Sequence, residues 1–175
     1  REATIDDIPK LKELDEAVFQ ESYYPLGYWQ FYLENTKSSF VALQNEKIVG
    51  LIVSCHTDFI EAIYEPYEID NGICYTIITF AVAQEYQNRG IGTKLLNLCL
   101  EKLRDLPCVT LQVKAGNPAL HLYLRRGFKV GFPLDQYYRD GSDAHFMYMF
   151  MSPRNYEIGM GDDGKEEEDE EGEGD

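Results

Sequence analysis

A strand that runs into a glycine-bearing turn and then an amphipathic helix constrains this chain more than any other stretch. Tyr75-Thr-Ile-Ile-Thr-Phe-Ala-Val82 is apolar and β-branched, Gln87-Asn88-Arg89-Gly90-Ile91-Gly92 follows, and Ile91, Leu95, Leu98, Cys99 and Leu103 recur at helical spacing. A strand delivering such a turn to a helix N-terminus makes a place for phosphate. The first helical N–H groups have no partner inside the helix, the macrodipole adds partial positive charge, and glycine lets a ligand approach the backbone. Two better-known glycine loops do not fit. A dinucleotide fingerprint needs three spaced glycines, whereas this turn has only Gly90 and Gly92. A P-loop ends in Gly-Lys-Ser/Thr, and here Gly92 is followed by Thr93-Lys94.

With 175 residues the chain is long enough for one domain with a proper core and too short for two. Its 44% hydrophobic and 13% aromatic content is that of a globular protein, and no apolar run reaches the ~20 residues of a membrane span. The charged opening Arg1-Glu-Ala-Thr-Ile-Asp-Asp-Ile8 lacks the apolar core of a signal peptide. Cys55, Cys74, Cys99 and Cys108 have no metal-ligand spacing and read as small buried hydrophobes in a reducing compartment. The expected setting is cytoplasmic, with the nucleus as an alternative, and no metal is expected. Of the net charge of −15, residues 162–175 carry −9 through ten carboxylates and one lysine. Such a block cannot bury apolar surface, so a domain over 1–155 and an acidic disordered tail over 156–175 are expected. The acidic balance argues against nucleic-acid binding through a basic face.

The pattern predicts a short first strand, then a helix over Ile8–Phe19 with Asp7 as its cap and Pro9 in its first turn. A second helix follows over Gly27–Glu34, in which Trp29, Phe31 and Tyr32 read as core. A hairpin (Phe40–Leu43, Ile48–Ser54), an acidic loop over 56–72, a strand over Ile73–Val82 and a helix over Ile91–Arg104 come next. A strand (Val109–Lys114), a helix (Pro118–Arg126) and two strands (Phe128–Leu134, His145–Met151) complete the order, with Asp140-Gly141 as a two-residue hairpin signal. The order β-α-α-β-β-β-α-β-α-β-β implies an α/β fold with a mixed sheet, parallel only where a helix separates successive strands.

Gln87-x-x-Gly90-x-Gly92, set in this order of elements, resembles the pyrophosphate loop of the GNAT family of N-acetyltransferases, which use acetyl-CoA. Ala119-Leu-His-Leu-Tyr123-Leu-Arg-Arg-Gly127-Phe128 is similar to a second family segment. That segment's Asn position falls on Gly116, with Asn117 one place late. Gln20-Glu21-Ser22-Tyr23 after Phe19, and Gln136-Tyr137-Tyr138-Arg139-Asp140-Gly141-Ser142-Asp143-Ala144, resemble substrate segments of protein N-terminal acetyltransferase catalytic subunits. The resemblance covers residues 1–151.

The resemblance implies the GNAT fold and direct attack of an amine on the thioester of acetyl-CoA. It implies cofactor contacts from Ala81, Val82, Gln87, Asn88, Arg89, Gly90, Ile91, Gly92, Thr93, Lys94, Asn117 and Tyr123. Tyr123 is the implied general acid. Glu21 is the leading candidate base, ahead of Tyr75, which falls one residue off the family's strand tyrosine; the position of the family's histidine holds Gln112. Phe19, Glu21, Tyr23, Tyr24, Tyr137 and Tyr138 are the implied walls for a protein or peptide N-terminus, with an auxiliary subunit as a further partner. His121, two residues from Tyr123 on another helix face, reads as solvated or packed. Two alternatives stay open: an enzyme for a small amine or lysine side chain, and an inactive acetyl-CoA-binding subunit.

Overall fold

The computed structural model describes residues 1–19, 24–56 and 74–151. Glu21, Tyr23, the acidic loop from 57 onward, the domain boundary at 155 and the acidic tail lie outside the described residues. The elements are α1 (Ile8–Phe19), α2 (Leu26–Glu34), β1 (Phe40–Gln44), β2 (Lys47–His56), β3 (Cys74–Val82), α3 (Ile91–Leu103), β4 (Cys108–Lys114), α4 (Ala119–Arg125), β5 (Lys129–Leu134) and β6 (Ala144–Phe150). A single 3₁₀ turn, Ile5–Asp7, runs into α1. The expected first strand is reduced to one antiparallel bridge, Glu2 with Phe40, because the chain turns helical three residues later.

The cap of α1 also differs from expectation. Asp7 does not look forward into the helix; Thr4 caps the helical run. The Asp7 carboxylate accepts hydrogen bonds from the Thr4 N–H (2.8 Å) and hydroxyl (3.0 Å) and from both terminal nitrogens of Arg1 at 2.7 Å. The Arg1 guanidinium is the main reason the Asp7 pKa drops from 3.8 to about 2. A lowered pKa stabilises the fold above the ordinary carboxylate range, and that stability is lost as pH falls through about 2. With Arg1 half exposed, the contribution is about 1–2 kcal/mol after solvent screening. Asp7→Asn should therefore lower Tm by roughly 2–8 °C at pH 7. In thermal melts that difference should close below pH 3; a constant difference down to pH 2 would refute the pairing.

The six strands form one mixed sheet in the order β1-β2-β3-β4-β6-β5. Only β3 and β4 pair in parallel, with α3 as their crossover. Two irregularities of β3 shape the middle of the sheet. Val53 pairs with Thr79 and Ser54 with Ile77, so Ile78 is an extra residue, a β-bulge that reverses the alternation of side chains. The β3–β4 pairing also stops at Ile77 and Leu111, although β3 runs on to Val82 and β4 to Lys114. The sheet forks there. Below the fork the strands are tied by the Thr76 and Thr110 hydroxyls, 2.8 Å apart.

A core lies on each face. Ile77, Leu95, Leu96, Cys99, Leu103, Val109, Leu111 and Tyr123 fill the α3/α4 side, and Ile8, Leu11, Leu14, Trp29, Leu51, Val53 and Ala81 the α1/α2 side. All four cysteines are free and buried, three in strands and one in α3. Trp29 is fully buried as expected, but Phe31, two residues on and therefore on another face of α2, is 53% exposed. Asp140-Gly141 does not join β5 and β6 directly. The connection runs over 135–143, and Gly141, at φ 78°, closes a tight turn inside it by donating to the Tyr138 carbonyl at 2.9 Å. Among the described residues no helix is long and apolar enough to cross a membrane.

Candidate active site

The fork opens into a cleft of about 650 Å³ that joins the two faces of the sheet. Phe80 and Tyr123 line it from the α3/α4 side; Asp15, Val18, Phe19, Tyr24 and Thr79 line it from the α1/α2 side; Tyr137, Tyr138 and Arg139 close one end. Beyond Ile77 and Leu111 the facing backbone edges of β3 and β4 lack strand partners in each other and are open to an extended ligand.

Next to the cleft stands the glycine turn, whose Gly92 packs against the Phe80 ring that lines it. Gly90 caps α3 in the left-handed conformation (φ 79°), and Asn88 is left-handed as well (φ 58°). The first helical bond runs from the Lys94 N–H to the Gly90 carbonyl at 3.0 Å, so the N–H groups of Ile91, Gly92 and Thr93 are the donors this helix end presents. The two glycines do different things. An added Cβ at Gly90 would meet open space but suffer the positive φ, whereas one at Gly92 would stand 3.3 Å from the ring of Phe80. Gly92 therefore lets α3 pack closely on β3, and only indirectly makes room for phosphate. The Gln87 side chain is committed to the Val82 carbonyl (2.9 Å), which fastens the turn to the strand. Arg89 lies over the Tyr86 ring, 5.3 Å from its centre. These residues fit a pyrophosphate: helix N–H donors, an exposed arginine and an exposed lysine, in an acidic chain.

Tyr123 reaches the cleft from α4, 6% exposed, with its ring against Phe80 and Phe128. Burial pushes its phenol pKa well above the ordinary value, with a smaller effect from Tyr138. It is thus protonated at neutral pH and can donate to a leaving thiolate. Asn117 lines the cleft, but its carboxamide oxygen accepts from the Ala119 N–H at 2.9 Å to start α4, leaving the nitrogen end for a ligand.

On the opposite side Tyr24 donates to the Ile78 carbonyl at 3.4 Å, and burial raises its pKa. Gln136, at φ 50°, bends the loop so that the strand rule does not apply: Tyr137 and Tyr138 both line the cleft, edge to face at 5.1 Å. The loop is tethered to the end of β4 by the Ala115 N–H to Asp143 carbonyl bond (2.9 Å) and the Lys114–Asp140 ion pair at 2.5 Å. Gln112 faces the cleft as well.

The structure does not bring Tyr75 there. Tyr75 shares a face with Ile77 and, across the bulge at Ile78, with Phe80, and packs into the α3/α4 core beside Val109, in the zipped part of the sheet, with His56 at 6.1 Å. His121 is exposed on α4. Glu21 and Tyr23, outside the described residues, are given no position in the cleft.

Two groups were missed from the sequence, Asp15 and the Thr79 that binds it. Asp15 is 1% exposed and its Oδ1 accepts from the Thr79 hydroxyl at 2.5 Å. Its Oδ2 is buried and has no hydrogen-bond partner among the described residues. Burial pushes the Asp15 pKa up from 3.8 to about 6, against the Thr79 hydrogen bond, which lowers it, and with a smaller upward contribution from Glu16. A signal existed: position 15 lies four residues after Leu11 in the buried stripe of α1, where a carboxylate is out of place.

Comparison with known proteins agrees with this geometry. A family model described as "Acetyltransferase (GNAT) family" matches residues 8–128. The chain is 30% identical over 150 residues to N-alpha-acetyltransferase 30 of Schizosaccharomyces pombe, covering 83% of this chain and 90% of that one. It is 28% identical over 152 residues to an N-alpha-acetyltransferase of Sulfurisphaera tokodaii, covering 84% and 89%. Among solved structures, the NatC complex bound to Gag peptide and CoA superposes with a TM-score of 0.75 at 20% identity, over 87% of this chain and 97% of that one. The forked sheet, the glycine turn at the head of α3 and the match over more than half of its length place this chain in the GNAT family, as an acetyl-CoA-dependent N-acetyltransferase.

Proposed function

We propose that the chain acetylates the α-amino group of protein or peptide N-termini. The observation that carries this is the part of the cleft lined by Phe19, Tyr24, Tyr137 and Tyr138, aromatic walls of a slot beside the fork. Its tethered loop favours an acceptor that enters by a chain end over a side chain from the middle of a segment. Several curated relatives carry the name N-alpha-acetyltransferase, which supports the same acceptor.

In this reading Ala81, Val82 and the turn from Gln87 to Lys94 hold the nucleotide and its arm, and Asn117 and Tyr123 flank the thioester end. When bound, acetyl-CoA supplies the activated acyl group. The protein holds the amine at the fork, keeps water off it with aromatic side chains, and offers the Tyr123 hydroxyl to the departing sulfur.

Tyr138→Ala should raise KM for an N-terminal peptide about tenfold, and Tyr137→Ala, whose ring is 49% exposed, by less. Acetyl-CoA affinity should stay the same. Steady-state assays with N-terminal peptides, the same peptides blocked at the N-terminus but carrying lysine, and small amines decide the acceptor. Equal turnover of peptides and free amines, indifferent to both substitutions, would remove the slot from the reading.

A further inference from the structure

We propose that Asp15 is the proton acceptor of this enzyme: its Oδ2 takes a proton from the acceptor's ammonium group, and Thr79 positions it through Oδ1. Three observations point there independently of the family pattern. Asp15 lines the cleft on the face where the amine must enter. Its side chain is 1% exposed, and one of its two oxygens is unsatisfied among the described residues, an arrangement that costs stability unless a donor arrives. An ammonium group supplies that donor. The bulge at Ile78 is what turns Thr79 towards α1, so the geometry is built into the sheet.

Among the described residues, the groups facing Asp15 leave it without a strong cation. Glu16 neighbours it on its own helix, Thr79 binds it from β3, and the phenols of Tyr24, Tyr137 and Tyr138 share the cleft with it. Lys114, on β4, is engaged by Asp140, and Arg139 is exposed at the rim. Burial without a cation raises the carboxyl pKa to about 6, which suits a base working near neutrality.

The proton balance is complete. One ammonium proton moves to Oδ2 and the nitrogen lone pair forms the C–N bond at the acetyl carbonyl. The C–S bond breaks with its electron pair on sulfur. The second nitrogen proton, shed as the amide forms, replaces the one that Tyr123 gives to sulfur. Asp15 then returns its proton to solvent, so each turnover yields an amide, a thiol and one H⁺.

The test is the pH dependence of kcat for the wild type, Asp15→Asn and Thr79→Val, with saturating acetyl-CoA and whichever amine the wild type accepts. The wild-type rate should rise with pH through an apparent pKa near 6. Asp15→Asn should lower kcat about 100-fold and abolish that limb, with acetyl-CoA binding kept as the check on folding. In Thr79→Val the limb should move to higher pH, because a hydrogen bond that favours the carboxylate is gone; this keeps the proposal testable should Asp15→Asn fail to fold. Retention of kcat and of the limb in Asp15→Asn, with at most a raised KM, would overturn the assignment and leave Asp15 an anchor for the ammonium. The proposal rests on the peptide reading only for its acceptor. Turnover of small amines but no peptide would overturn that reading, while the variant profiles still decide Asp15.

Discussion

Gly92→Glu should bind acetyl-CoA at least ~100-fold more weakly than the wild type. Two effects act together. The new Cβ meets the Phe80 ring at 3.3 Å, so the ring or the head of α3 must give by a few tenths of an ångström. The new carboxylate then occupies the end of the helix that a phosphate would use, and two lost charge-assisted hydrogen bonds at ~1.5–3 kcal/mol each exceed the ~2.7 kcal/mol that 100-fold requires. Gly92→Ala separates the two, since it adds the contact without the charge and should cost less than about tenfold. Calorimetric titration reads both. Unchanged affinity in a folded Gly92→Glu protein would sink the phosphate assignment for this turn.

Tyr123→Phe should lower kcat on the order of 10²-fold while acetyl-CoA affinity stays within about twofold. The ring already packs on Phe80 and Phe128, so phenylalanine keeps the shape and only the hydroxyl is lost. Burial holds the phenol pKa above its ordinary value, so Tyr123 keeps its proton through the neutral range and would have it ready for sulfur as charge develops there. It follows that no basic limb of the pH profile below about pH 9 belongs to Tyr123. Pre-steady-state measurement of thiol release is the direct readout. A fall of less than about threefold would make Tyr123 a packing residue.

Asp15 predicts a further signature, in stability. Its folded pKa is raised, so the fold gains stability from this group as pH falls below about 6 and loses it above. Asp15→Asn should therefore be as stable as the wild type or more stable at pH 8, by up to ~2–3 kcal/mol, even as it loses activity. Thermal melts at pH 5 and pH 8 check the sign, and a variant destabilised at both would show that the carboxylate is needed for folding.

Much of this was legible in the residues. Helical spacing of Leu11, Leu14 and Val18, the β-branched run to Val82, and glycines placed at a strand-to-helix turn are local patterns with local causes, and they set the elements and the cofactor turn. What failed to read out depended on how elements meet. The extra residue at Ile78 is invisible in a sequence because nothing in Ile77-Ile78-Thr79 is an unusual strand residue; only the pairing with Val53 and Ser54 shows it. That one residue sets Thr79 on the opposite face from Tyr75 and turns it towards Asp15, a pairing that counting along the strand could not show. Gln136 likewise turned a rule of alternating strand faces into a loop with both tyrosines on one side. Short-range sterics and hydrogen bonding along the chain account for the elements, their order and the glycine turn at the head of α3, which is why all three could be read from residues alone. The place and poise of the base arose only when α1 closed on β3, because burial, and with it the pKa of Asp15, belongs to the packed molecule and to no single segment of the chain.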